Sequence, residues 1–502
     1  MVHGVAICMA RVSCLRRYSP GMNRYQLLAD ALGRRIEQGL YRPGERLPSV
    51  RALAQEHGVS LATVQQAYRL LEDRGLVEPR PKSGYFVRLE RRVIELPRVT
   101  RPARWPVEVS GWEPVRELMT STPDSVRVQL GRGLPDTEAP TLAPLLAGMA
   151  RLARRPGNAG LSYDSIQGVA ALREQVARLQ LDAGCVLTAD DIVITSGAHE
   201  ALATALRATC QEGDIVAVDS PTFHGVMQTL KGQGLKALEI PTDPRTGISL
   251  PALELALEQW PVRAIQLTPS CNNPLGYCMP EASKRQLVAL ARKHDLAVIE
   301  DDVYGDLLYG YPRARALKAF DEDDRVVLCS SFSKTLAPGL RVGWVAPGRY
   351  AERILHLKYI GTGCTAPQPQ LAIAEFIAAG HYTVHVRRMR AQYQRNRDLM
   401  SAWVQRYFPA GTRVSQPQGS FLLWVELPEA CDSHRLNREL LAQSVQIACG
   451  SIFSASGKYR NCLRLNYAQA QRPGIEEGVR RVGEAACRLL DEALPRSLAL
   501  PV

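Results

Sequence analysis

The chain has 502 residues, more than one hydrophobic core organises, so two or three domains are expected. Apolar residues make up 46% and charged residues 22%, which excludes a disordered chain, and no uninterrupted apolar run reaches the roughly 18 residues of a membrane-spanning helix. The net charge of +12 is uneven: residues 1–120 hold 20 Lys/Arg against 12 Asp/Glu and the rest hold 42 against 38, the balance of a polyanion-binding head on a nearly neutral body. Twelve cysteines are scattered without a CxxC pair, which argues against a zinc ribbon or a disulfide scaffold and for a reducing cytoplasm.

Residues 1–21 lack any acidic group, and Arg11 interrupts their short apolar stretch. They read as an upstream extension or a disordered tail rather than a targeting peptide. A helical period starts at Met22: Leu28, Leu32 and Ile36, with Ala31 beside them, share one face, and Gly39 stands where the helix should stop. Ser49 is placed to cap "VRALAQEHG" and Ser60 to cap "LATVQQAYRLLEDRG", with Gly58 and Gly75 as stop signals. Two short helices joined by "GVS" make a helix-turn-helix, and "LVEPRPKSGYFV" adds the paired strands of a wing.

Residues 22–90 therefore read as a winged helix-turn-helix, with double-stranded DNA as its partner. The second helix of the pair would enter the major groove, making Ser60, Ala62, Thr63, Gln65 and Gln66 the candidates for base edges. Arg46, Arg51 and Lys82 are better placed for phosphates. The run "GERLPSVRALAQEHGVSLATVQQAYRLLEDRGLV" resembles the DNA-binding domain of GntR-family regulators along its whole length, departing at Leu61, where that family often has a basic residue. Residues 91–120 carry prolines and isolated charges without a sustained period, the composition of an inter-domain linker.

From residue 121 to 495 the fold class is α/β. The runs "DIVITSG", "DIVAVDSP", "AIQLTPS", "LAVIEDD" and "RVVLCSS" read as buried strands alternating with amphipathic helices, which predicts a mostly parallel sheet covered on both faces. Ligands in such folds gather beyond the carboxyl ends of the strands, and there the conspicuous residues lie. Ser196, Gly197 and Ala198 lead from a strand into a helix, a turn that suits phosphate. Phe223 offers a flat ring, Asn273 an amide, Asp301 an acid at a strand end, and Tyr304 a phenol three residues on. Lys334, in "SSFSKTLAPGLRVGW", is a lysine at a strand end beside Ser331 and Arg341. Pyridoxal phosphate needs a lysine for its aldehyde, an acid for its ring nitrogen and a phosphate clamp, and these residues supply the set. Ser331 to Lys334 is also "SxxK", the nucleophile signature of penicillin-binding enzymes, but the "SDN" that accompanies it is missing.

Through "YDSIQGVAALRE", "ITSGAHEAL", "NNPLG", "EDDVYGD", "SFSKTLAPGLRVGW" and "LRLNYA", residues 125–490 resemble class I, fold-type I aminotransferases. The resemblance implies that Lys334 holds the cofactor aldehyde, that Asp301 faces the pyridine nitrogen, and that Asn273 and Tyr304 bind the phenolic oxygen. It gives the phosphate to Ser196, Gly197, Ala198, Ser331 and Arg341, the ring face to Phe223, and a substrate carboxylate to Arg464. Tyr163 would reach across from a second subunit, so a homodimer is implied. Head, linker and body together resemble the MocR-type subgroup of GntR regulators, in which the body senses pyridoxal 5'-phosphate, alone or with a small amino-compound effector. Two readings follow: a transcription regulator with a sensor body, or a working aminotransferase carrying an accessory DNA-binding domain.

Overall fold

A computed structural model describes residues 23–37, 40–41, 44–80, 83–87, 95–109, 111–122, 125–154 and 160–493. The expected tail over residues 1–21, the helix stop at Gly39 and the wing-tip Lys82 lie outside them. The chain forms two units that divide between Val93 and Ile94.

In the first unit, α1 (Arg24–Glu37), α2 (Val50–His57) and α3 (Leu61–Asp73) precede the antiparallel pair β1 (Val77–Arg80) and β2 (Gly84–Val87). The starts follow the predicted caps: the Ser49 hydroxyl accepts from the Ala52 amide and the Ser60 hydroxyl from the Thr63 amide. Gly58 ends α2 in the left-handed region at φ 62°, which a side chain would resist. On α1 the core face is Leu28, Ala29 and Leu32. The expected Ala31 and Ile36 are only half-buried, because the helix turns Ala29 toward Leu53, Val64 and Leu71 in the unit's core. Tyr68 stacks on Tyr85 of the wing at 4.3 Å and donates to Pro48 O, which ties the helix pair to the strands.

The second unit begins before the expected boundary. The sequence makes 91–120 a linker, but from Glu95 onward this stretch is laid on the body. The Arg98 amide donates to Glu426, Thr100 Oγ1 to Ser220 O at 2.7 Å, and Val107 pairs with Ala237. It ends in a helix, α4 (Glu113–Thr120), with Pro114 in the first turn and Val115 and Leu118 buried. Eight helical residues with two core contacts are too short to show a period in sequence.

After β3 (Val128–Gln129), α5 (Ala143–Ala153) and α6 (Ala170–Gln180) comes the main sheet. Its strands are β4 (Val193–Thr195), β5 (Ile215–Ser220), β6 (Lys236–Asp243), β7 (Gly247–Ile248), β8 (Val262–Leu267), β9 (Ala297–Asp301), β10 (Val326–Ser331) and β11 (Gly343–Ala346). The order is β4-β11-β10-β9-β8-β5-β6-β7. The five strands from β10 to β6 run parallel, whereas β11 is antiparallel to both its neighbours and β7 to β6. Two helices matter for the site: α7 (Ala198–Thr209) follows β4 and α8 (His224–Gly232) follows β5. A smaller antiparallel sheet joins β12 (Arg413–Val414), β13 (Leu422–Glu426), β15 (Ala448–Cys449) and β16 (Cys462–Asn466), while β14 (Val445–Gln446) pairs with β3. Among the described residues no helix is long and apolar enough to cross a membrane, and no three His, Cys, Asp or Glu side chains gather as metal ligands.

Candidate functional site

Every main-sheet strand carrying a candidate ends where the parallel strands end, so residues far apart in sequence meet. A cavity of about 550 Å³ is lined by Ala198, Phe223, Asn273, Asp301, Tyr304, Ser331, Lys334, Arg341 and Arg464. A larger groove of about 1070 Å³, along residues 97–101 and 456–462, contains none of the sequence candidates.

Lys334 follows β10 and is half-buried, with Nζ donating to Gly133 O at 2.8 Å. Burial lowers its pKa to about 8, helped by the charges of Arg464 and Arg341 and opposed by Asp301, so a useful fraction is free amine near neutrality. Asp301, at the end of β9, is buried, which pushes its carboxyl up to about 7; the Val303 amide, 3.3 Å away, acts against that shift. Tyr304 is raised by burial, the hydrogen bond from Asn273 working the other way. Asn273 Oδ1 also accepts from Arg464 Nη1 at 2.9 Å.

Arg464 sits on β16, 1% exposed, with Nη2 donating to Gly131 O at 2.6 Å and Nε left without a partner. Burial lowers its pKa to about 10. A buried guanidinium with an orphaned N–H has a donor free for an anion that brings its own acceptors.

The phosphate turn differs in detail from expectation. Gly197 precedes α7 at φ 91°, a backbone conformation that disfavours any side chain, and a Cβ there would fall 2.5 Å from Arg341 Nη2, so that guanidinium would have to move. Arg341 Nη2 donates to Ser196 O at 2.7 Å. The Ser196 amide, expected to be free, donates to the Glu200 carboxylate, which also pairs with Lys358 at 3.3 Å. Of the three turn residues only Ala198 reaches the cavity wall; Ser196 and Gly197 stand behind it.

Tyr163 is 96% exposed and does not line its own chain's cavity. Phe223 does, edge-on to His199 at 5.6 Å. Sequence reasoning missed His199, His224 and Gly133, all of which line the cavity. His224 is buried with Nδ1 unpartnered, and burial holds its pKa well below the usual imidazole value. The paired glycines of "GRGLPD" were the available signal for Gly133; His199 and His224 had none beyond adjacency to candidates.

In the first unit, Ser60, Ala62, Gln65 and Gln66 are exposed on α3, with Thr63 half-buried. The Ser60 and Thr63 hydroxyls lie 2.8 Å apart and share the cap hydrogen bond. Arg51 is exposed on α2, and the exposed Arg46 lies beside Gly84 of the wing.

The chain belongs to the aminotransferase class I and II family, matched over residues 127–482, and residues 24–87 match the gntR family of bacterial regulatory proteins. It is 53% identical over 470 residues to YjiR of Escherichia coli (strain K12), described as an uncharacterized HTH-type transcriptional regulator; the match covers 94% of this chain and 100% of that one. A 2-aminoadipate transaminase of Thermus thermophilus is 31% identical over 75% of this chain and 94% of its own. The crystal structure of LysN, an alpha-aminoadipate aminotransferase from the same organism complexed with N-(5'-phosphopyridoxyl)-L-leucine, superposes with a TM-score of 0.70 at 29% identity, covering 77% of this chain and 97% of that one. The regulator thus matches head and body together, and the enzymes match the body, which is the two-part organisation of MocR-type regulators.

Proposed function

We propose that the protein is a DNA-binding transcription regulator whose body holds pyridoxal 5'-phosphate and senses it, alone or with a small amino compound, so that operator binding changes. One observation carries this reading: Lys334, Asp301 and Arg464 converge on one cavity in a chain that also has a gntR-type head. The residues fit the cofactor, since Lys334, Asp301, Ser331 and Arg341 line one cavity and Gly197 leaves room for the Arg341 guanidinium at the start of α7. Bound there, pyridoxal phosphate supplies an aldehyde for a lysine amine and a ring that draws electrons from the carbon bearing an amino group.

The chain's own residues do the rest. Asp301 keeps a proton on the ring nitrogen, Tyr304 and Asn273 hold the phenolic oxygen, and Phe223 covers the ring face. The start of α7, with Ser331 and Arg341, holds the phosphate. Lys334 presents its uncharged amine, and Arg464 grips an effector carboxylate with two parallel N–H groups. The exposed Tyr163 is assigned to the cavity of a second copy, making a homodimer whose two heads read two operator half-sites. Its place is the cytoplasm, where bacterial DNA lies.

A second reading, a working aminotransferase, is favoured by one feature: the full set of Lys334, Asp301, Tyr304, Asn273 and Arg464 lines the one cavity, with burial lowering the Lys334 amine toward its free-base form. Titrating the full-length protein with pyridoxal phosphate and then with amino compounds, while following cofactor absorbance and operator binding, separates the two. A visible band lost in Lys334→Ala, with band-shifting amines altering operator affinity, is expected. A wild type that stays colourless refutes the cofactor, and rapid conversion of amino donors to keto acids selects the enzyme.

A further inference from the structure

Residues 131–134 pass beside the cavity with all four carbonyls engaged. Gly131 O accepts from Arg464 Nη2 at 2.6 Å and Gly133 O from Lys334 Nζ at 2.8 Å, while Arg132 O and Leu134 O share the Asn466 amide at 2.7 and 2.8 Å. The Arg132 side chain reaches α4. Its Nε donates to Leu118 O at 3.0 Å, and its Nη2 donates to Met119 O and to Ser121 O, the latter at 2.8 Å. These are carbonyls at the C-terminal end of α4, which the helix itself cannot satisfy.

Besides Arg132, among the described residues only Gln446 and Gln129 bond this end of α4: Gln446 accepts from Ser121 Oγ at 2.6 Å and donates to Glu117 O at 3.4 Å, and Gln129 donates to Ser121 Oγ at 3.3 Å. Val115 and Leu118 are its buried side chains, and Trp112 and Met119 are 47% and 48% exposed. Trp112, Val115 and Met119 line the 550 Å³ cavity, and a second cavity of about 320 Å³ lies against Pro114 and Val115. A short helix with space on two sides can shift at little packing cost.

We infer that Arg132 is a positioning residue that makes α4 respond to what occupies the cavity, an inference that rests on the cofactor reading above. Condensation of a lysine amine with an aldehyde consumes two N–H bonds and releases water. With its amine so engaged, Lys334 Nζ would have at most one proton left, and its hydrogen bond to Gly133 O would be weakened or lost. A carboxylate on Arg464 likewise competes with Gly131 O. Both changes act on the residues flanking Arg132, whose guanidinium carries them to the end of α4. In sequence α4 follows residues 95–109, which are themselves bonded to the body, so a shift of α4 acts on the stretch that leads in from the head.

Hydrogen exchange of the full-length protein, with and without pyridoxal phosphate as the probe, tests this at residues 111–122. In the wild type the α4 amides should exchange at rates that differ about tenfold between the two states, the scale of one charge-assisted hydrogen bond made or lost. In Arg132→Gln they should exchange fast in both states, with the visible band intact. Arg132→Lys is the companion variant: one ammonium nitrogen lacks the fixed fork by which Nε and Nη2 reach these carbonyls from two positions, so the difference between states should shrink there too. A variant that shows the band and keeps the full wild-type difference overturns the inference, leaving Arg132 a plain helix cap. A wild type without a band fails differently, overturning the cofactor reading and this inference together.

Discussion

Replacing Arg464 with Met should move the pH at which the cofactor loads upward by nearly one unit. Lys334 Nζ and Arg464 Nη2 lie 3.7 and 3.9 Å from the same point, where a side chain on Gly133 would begin, so under about 8 Å separates them. Two like charges at that distance repel by about 2 kcal/mol at an effective dielectric of about 20. Water entering the cavity around a half-buried amine reduces this to about 1 kcal/mol, just under one pKa unit. The sign follows from the cause. Burial and then Arg464 lower the Lys334 pKa to about 8, and loading needs the free amine, so loading rises as pH climbs through that value. Removing the positive neighbour raises the pKa and pushes the midpoint toward higher pH. Visible absorbance, recorded as loading against pH, reads the shift directly, and Arg464→Lys, which retains the charge, should leave the midpoint near that of the wild type. A midpoint that stays put or falls in Arg464→Met would refute the electrostatic account.

Two other outcomes are expected. Arg51→Ala should lower the slope of log affinity against log salt by about one if Arg51 meets a phosphate, whereas Gln65→Ala or Gln66→Ala should change sequence preference; gel-shift titrations on operator and random DNA distinguish these effects. Gly197→Ala places a Cβ 2.5 Å from Arg341 Nη2 at φ 91° and should cost about 1–3 kcal/mol, read by calorimetry as weaker cofactor binding or a lower melting temperature; unchanged values would remove the steric argument for that turn.

Much of the candidate site was legible residue by residue. Lys334, Asp301, Asn273, Tyr304, Phe223 and Arg464 announced themselves by residue type and by position at the ends of apolar runs, and the fold brings them to one cavity. Ser196 was placed correctly in its turn but misjudged in its bonding, because Glu200, one helical turn away, takes its amide. Residues 95–120 were misread more deeply. Their composition has the prolines and scattered charges of a linker, yet Thr100 and Val107 are held by partners 120 and 130 residues away, and Val115 is buried in the core of the body.

The division has a physical basis. Caps such as Ser49 and Ser60, the left-handed stop at Gly58 and the strand runs are set by hydrogen bonds and sterics within a few residues, so the order of amino acids alone determined the head's elements and the body's alternating α/β plan. The cavity's charge state, the seat of α4 and the reach of Arg132 into its last carbonyls arise from burial and from contacts between segments distant in the chain. Burial costs and long-range hydrogen bonds exist only once the tertiary structure excludes water, and that is why it alone decided which of Lys334's and Arg464's neighbours would tune them.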